Sequence, residues 1–321
     1  MSSADAAAAK HHPTRSPVQV LREDWRKILR SLWRELKEDN LSLVSAGVGF
    51  YALLAIFPAI GAIVALYGLI ADRATIVEHL SFIRSVLPRD AYQLLADQVR
   101  ELTSGEPAEL GLGFAVGVII SMWSASRAVI ALITAMNIAY EEQEERGFIH
   151  LNLIAVGFTL AGLAVMLVAM AVLGGLPAVV EQMELPAWLA ASVLLLRWPP
   201  LGVLVLMGLA LLYRYGPSRA NAKLEWLSPG AIFAMLLWLL ASAGFSLYVT
   251  NFGKYNETFG SLAAGIILLL WFYVSAYAVC IGAEINAEIE YRTRGDTTTG
   301  RPRPIGRRGA TVADTKSPDA E

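Results

Sequence analysis

From Gly147 to Tyr213 the chain carries only three ionised side chains, Glu181, Glu184 and Arg197. A water-exposed fold of that length has to scatter charge over its surface, and soluble domains are about 25% charged. Here 17% of 321 residues are charged and 55% are apolar, and the charges are segregated between long apolar runs. That pattern fits a chain whose solvent is hydrocarbon. The formal net charge of −2 argues against a nucleic-acid binder that works through bulk positive charge. The single cysteine, Cys280, rules out an intramolecular disulfide and any CxxC motif.

The start of the chain lacks the short apolar core of a secretory signal. Residues 1–17 read as a disordered N-terminus. Over 18–40, Val18, Leu21, Trp25, Ile28, Leu29, Leu32 and Leu36 recur at helical spacing. Arg22, Arg26, Lys27, Arg30, Arg34 and Lys37 take the other face. An apolar stripe with Trp25 and Trp33 beside basic residues suits a helix in the membrane interface. An amphipathic helix packed on the protein reads equally well.

The expected fold class is an all-α integral membrane protein. A span needs about 20 mostly apolar residues, and six segments qualify: 41–71, 111–140, 151–180, 199–213, 227–250 and 261–285, within a membrane domain over 41–290. The first contains Gly47 and Pro58, and a proline inside a helix removes a hydrogen bond, so a bend or break is expected there. The fourth is short, starting at Pro199-Pro200 behind an interfacial segment. Between the first two spans, Ile76, Leu80, Ile83 and Leu87, then Ala91, Leu94, Leu95, Val99 and Leu102, predict two amphipathic helices at the outer mouth. The tail over 291–321, rich in Thr, Gly, Pro and Arg, reads as disordered and cytoplasmic. Placing both termini inside puts 19 Lys and Arg on the cytoplasmic side against 6 outside, as the positive-inside rule requires.

Polar residues inside the spans are the candidate translocation pathway. Arg127 lies 18 residues from Glu109 and 14 from Glu141, near the bilayer midplane. A charge there is costly and marks function by default; a structural role, covering carbonyls freed near Pro58, is the alternative. Ser124 and Asn137 lie on the same span. Glu284 and Glu288 are one turn apart at the end of the sixth span, with Asn286 between them. They suit a cation or proton at the inner mouth, or are ordinary interfacial carboxylates. Tyr255 and Asn256 belong to a Gly-, Asn- and aromatic-rich loop between the last two spans. No HExxH, GxSxG, P-loop or GxGxxG motif is present, so neither hydrolysis nor ATP turnover is expected, and no enzyme, metal or cofactor.

Several stretches resemble the YihY/BrkB family of bacterial inner-membrane proteins. They are Gly47-Val-Gly-Phe-Tyr-Ala-Leu-Leu-Ala-Ile-Phe-Pro58, Trp123-Ser-Ala-Ser-Arg127, Leu212-Tyr-Arg-Tyr-Gly-Pro217, Leu227-Ser-Pro-Gly230, Phe245 through Ser261, and Gly282-Ala-Glu-Ile-Asn-Ala-Glu288. Together they cover about 20–290, with the tail from 293 outside. The resemblance implies an inner-membrane location and links to envelope integrity, serum resistance and export of lipid or lipopolysaccharide precursors. The family's former ribonuclease BN label is regarded as mistaken. The expected function is a transporter or flippase of a lipid, a lipid precursor or a small anionic solute, with membrane lipids as partners. A non-transporting envelope scaffold is the alternative and a ribonuclease the weakest reading. Oligomeric state is not readable.

Overall fold

The computed structural model describes residues 16–70, 107–183, 185–252, 261–293 and 295–315. Among these the chain is all-α, and its one β contact is an isolated bridge between Ala222 and Thr298. Six segments are long and apolar enough to cross a membrane: 41–60, 111–139, 148–182, 187–215, 224–249 and 265–291. The expected outer helices within 72–110 lie outside the described residues, apart from 107–110, which begin a spanning helix.

Helix α1 (Pro17–Glu38) starts at Ser16, whose hydroxyl accepts from Gln19 N while the Gln19 side chain accepts from Ser16 N. This reciprocal cap satisfies two amides that a helix start leaves unpaired. The helix presents two apolar stripes. Val20, Ile28 and Leu32 are buried with Trp226, Ile285 and Ile289. Val18, Trp25, Leu29 and Trp33 stay exposed, with Arg26 over the Trp25 ring and Lys37 over Trp33. The buried stripe packs on the protein, and the exposed stripe carries the two tryptophans that suggested an interfacial helix. The helix ends at Glu38 with Asp39 as its C-cap, and Asn40 then takes a left-handed backbone (φ 52°), a conformation asparagine tolerates better than most.

Helix α2 (Leu41–Ile70) continues unbroken through Pro58, so the expected break is absent. It pairs broadly with α3 (Pro107–Ala139). Helix α4 (Phe148–Met170) passes through a π turn (Ala171–Gly175) into α5 (Leu176–Gln182). Pro177 cannot donate to the carbonyl four residues back, and two preceding glycines let the ladder widen there.

Helices α6 (Ala187–Leu196) and α7 (Trp198–Tyr215) meet at Arg197, whose own backbone is helical. The fourth apolar segment thus runs 187–215 rather than 199–213. Pro199 and Pro200 fall in the first turn of α7, where amides have no intrahelical partner anyway. Helices α8 (Leu224–Phe252) and α9 (Ser261–Tyr291) complete the spans, and a single turn, α10 (Thr311–Asp314), follows.

The core gathers at one end of the bundle. Ala135, Met136, Ala139, Tyr140, Tyr213, Leu227, Ala231, Ala283 and Ala287 pack together there with Leu41 and Val312. Small side chains let helices in lipid approach closely, and the α8–α9 crossing is the tightest case. A Cβ on Gly230 would lie 2.0 Å from Gly282 O, and one on Gly282 would lie 2.6 Å from Gly230 O.

The tail departs from expectation. Residues 295–315 fold back onto this end instead of being disordered. Ala220 N donates to Gly309 O, Lys223 N to Thr297 O, and Thr299 N to Asn221 O. Asp314 accepts from the amides of Gly306, Arg308 and Gly309, two of which turn at positive φ open to glycine. Arg308 reaches Gly295 O and Ala313 O. Composition signalled too little apolar surface to fold, but the loop 217–223 supplies the partners.

Candidate functional site

The connections α3–α4, α7–α8 and α9–tail meet at the packed end. Asn137, at the last turns of α3, donates to Glu144 Oε2 (3.0 Å) and accepts from Ser218 N (2.7 Å). Arg146 holds Glu144 with two bonds of 2.7 Å. The same guanidinium donates to Tyr215 O and Gly216 O, carbonyls that the end of α7 leaves unpaired. The Arg146 guanidinium, with further hydrogen bonds, depresses the Glu144 carboxyl to about 2. A carboxylate in a paired, charge-assisted network behaves this way.

A second ion pair lies deeper. Arg219 grips Glu290 bidentately at 2.9 and 2.6 Å, with side chains 2% and 1% exposed. The guanidinium stacks over the Tyr140 ring, 4.8 Å from its centroid. Thr297, from the tail, donates to the same carboxylate. Burial alone would lower the Arg219 pKa; Glu290 raises it above the ordinary value instead.

Between α4 and α7 opens a cavity of about 1040 Å³. Its wall is Ile154, Gly157, Phe158, Ala161 and Leu211. Its mouth is Arg146, His150, Tyr215, Ser218, Arg219 and Asn221. From Gly147 to Ala161 is 14 residues, about 21 Å along a helix, so the cavity extends from the packed end toward mid-span. One end offers hydrogen-bonding groups and the other hydrocarbon, the division an amphiphile carries.

The structure scatters the residues the sequence singled out. Arg127 is half-buried on α3, stacked 5.6 Å from the ring centroid of Trp123, which is 52% exposed. It is not among the cavity-lining residues. Ser124 is buried with its hydroxyl unpaired. Asn137 belongs to the Glu144–Ser218 staple. Gly47 has open space beside it; Gly49 is the one in close contact, with Tyr273 N 3.1 Å from a Cβ placed there. Pro58 is half-buried in α2. Tyr255 and Asn256 lie outside the described residues.

Glu284, Asn286 and Glu288 are all buried, not at an open mouth. Pro229 deprives α8 of an amide and disturbs its ladder. Asn286 accepts from Gly230 N (2.8 Å) and donates to Leu227 O (3.1 Å). Ser228 Oγ donates to Glu225 O (3.0 Å), the carbonyl Pro229 cannot serve. Asn286 is thus engaged with the helix backbone.

Sequence reading passed over Arg146, Arg219 and Glu290. Their signal was faint: charges among other charges, in short loops or in the last turn of α9, where charge is ordinary. Among the described residues no group of three or more His, Cys, Asp or Glu side chains is arranged to hold a metal ion.

The family model described as virulence factor BrkB matches residues 32–305, well over half the chain and into the folded tail. A protein named putative ribonuclease-like protein YfkH, from Bacillus subtilis, is 29% identical over 259 residues, covering 78% of this chain and 90% of that protein. A UPF0761 membrane protein of Alteromonas mediterranea is 26% identical over 264 residues, covering 80% and 85%. Another, from Pseudoalteromonas translucida, is 35% identical over a shorter stretch of 103 residues, 32% of this chain and 34% of that one. No solved structure matches. The chain belongs to the virulence factor BrkB family, and relatives such as the Alteromonas mediterranea protein are named as membrane proteins.

Proposed function

We propose that this BrkB-family chain is a transporter of a membrane amphiphile, a lipid or lipid precursor, with the α4–α7 cavity as its substrate site. The supporting observation is the cavity's polarity: hydrogen-bonding groups at the packed end and an apolar wall reaching toward mid-span. A small anionic solute would make little use of that wall, so an amphiphile is the better match. In this proposal the packed end is cytoplasmic, as the 19-to-6 distribution of Lys and Arg favours, and the membrane is the bacterial inner membrane. Arg127 serves as a midplane contact for a crossing headgroup, since an arginine at that depth is functional by default.

One observation favours a non-transporting scaffold instead. Both mouth arginines already grip a carboxylate, Glu144 or Glu290, and the network ties the spans together at one end. Purified protein in liposomes, assayed for translocation of a fluorescent anionic phospholipid against protein-free vesicles, separates the two. Transport predicts translocation that depends on the protein. Vesicles as inert as the controls would leave the scaffold.

A further inference from the structure

We propose that the outward face of α1 binds the anionic phospholipid surface of the membrane that the bundle spans. At about 100° per residue, the side chains of α1 fall into three sectors that follow one another around the helix. Val20, Ile28 and Leu32 are buried with Trp226, Ile285 and Ile289. Val18, Leu21, Trp25, Leu29 and Trp33 come next and are between 37% and 68% exposed. Arg22, Arg26, Lys27, Arg30, Arg34 and Lys37 follow, all exposed. By the same periodicity Asp24, Glu35 and Glu38 lie outside the basic sector, and Glu23 is the carboxylate within it.

The order of the sectors suits a helix lying on a membrane. The exposed apolar sector stands between the protein on one side and the cations on the other, where acyl chains would lie below and headgroups beside. Five large apolar side chains in one patch are costly against water and mark a surface with an occupant. Arg26 lies over the Trp25 ring, 5.2 Å from its centroid, and Lys37 lies 4.9 Å from the centroid of Trp33. Each of these cations is held beside an indole, the side chain that favours the headgroup level. Lys and Arg stems run along apolar surface while their charges reach outward. Phosphate-bearing lipid complements such a basic strip next to a span.

The connection to the first span fixes where this face sits. Only Asp39 and Asn40 separate Glu38, the end of α1, from Leu41, which opens α2 and the first apolar segment. That linkage covers about 10 Å at full extension, so the end of α1 stays at the membrane boundary. Trp33 lies about 7.5 Å earlier along the helix. Farther back, Val20 and Ile28 share a buried cluster with Ile285 and Ile289 at the end of the sixth span. A second copy of the chain is a poorer occupant. A twofold pairing through the same stripe sets two basic sectors side by side, and like charges oppose it. The assignment holds for a transporter and for a scaffold alike.

Spin labels on the full chain in lipid vesicles test this. A nitroxide on Leu29→Cys reports the apolar sector and one on Arg30→Cys the basic sector, while the native Cys280 is buried. Collisions with oxygen, which concentrates among acyl chains, are compared with collisions with a neutral nickel chelate, which stays in water. In phosphatidylcholine vesicles containing phosphatidylglycerol, the Leu29 label should favour oxygen and the Arg30 label nickel. Two changes should shift the Leu29 label toward nickel: vesicles of phosphatidylcholine alone, and combined Arg22→Gln, Arg26→Gln and Lys37→Gln. None of the altered residues is buried, so no core contact is removed. A Leu29 label as open to nickel as the Arg30 label would place the face in water and overturn the proposal. A Leu29 label closed to both probes would overturn it in favour of a protein occupant, a second copy included. Shielding that is equal in both lipids and unchanged in the Gln variant would overturn the role of anionic headgroups. The labels are read without any substrate, so these outcomes leave the transport reading to its own assay.

Discussion

The Arg219–Glu290 pair is the residue on which the packed end depends most. Its members come from the α7–α8 loop and the last turn of α9, and Thr297 adds the tail to the same carboxylate. Removing one partner of a buried pair strands the other charge, at a cost of about 3–5 kcal/mol. Arg219→Ala should therefore lower unfolding stability in detergent by about that amount, whereas Arg127→Ala should leave it unchanged or higher, because it removes a charge from the apolar middle of a span. A loss of stability from Arg127→Ala would return that arginine to a structural role. The sequence displayed Arg127 because it stands alone in an apolar run. Arg219 and Glu290 were invisible because each sits among other charges, and only the fold closes water off from them. Glu284, Asn286 and Glu288 were legible as polar residues on one stretch of helix. Their burial was not, because the covering comes from α1 and from α8, far away in the chain.

At the scale of elements, the prolines show what hydropathy conveys and what it omits. The apolar runs located the six spans well, but a proline's effect depends on which groups replace the lost hydrogen bond. Pro199 and Pro200 need no replacement in a first helical turn, Pro177 is accommodated by a π turn, and Pro229 is repaired by Ser228 and Asn286. Asn286→Ala would leave Gly230 N and Leu227 O without their buried partner, at about 1–3 kcal/mol for such a loss. A thermal midpoint unchanged in Asn286→Ala would show that the kink relaxes without it. For α1, burial raises the Glu35 and Asp39 carboxyls above the usual carboxylate range, which fixes the sign of pH dependence. A folded state that binds protons more tightly than the unfolded one loses stability as pH rises from the ordinary carboxylate range through the raised values. Amide-exchange protection in α1, corrected for intrinsic exchange, should fall as pH increases over that range, and Glu35→Gln should flatten the decline. Protection that grows with pH would contradict the raised carboxyls. The Glu144 staple has the opposite sign, present above the ordinary carboxylate value and lost as pH falls toward about 2.

The whole molecule is a six-span bundle tied at one end by polar contacts and opened along α4 and α7 by a cavity. Charge segregation made the membrane class legible, and the motifs of the first, second, fourth, fifth and sixth spans carried the family. Neither the cavity nor the ordered tail could be read, because both arise from contacts between distant segments and leave no periodic trace. The central claim is that the cavity receives the substrate. Gly157 lines it, and a Cβ there meets no atom within 4 Å; Gly162, five residues on in α4, is equally open but does not line it. Phospholipid translocation in liposomes should therefore be compared for wild type, Gly157→Phe and Gly162→Phe, each at the same reconstituted density. Wild type and Gly162→Phe should translocate alike, and Gly157→Phe should fall at least about tenfold, a barrier change of about 1.4 kcal/mol. Translocation by Gly157→Phe at the wild-type rate would contradict it.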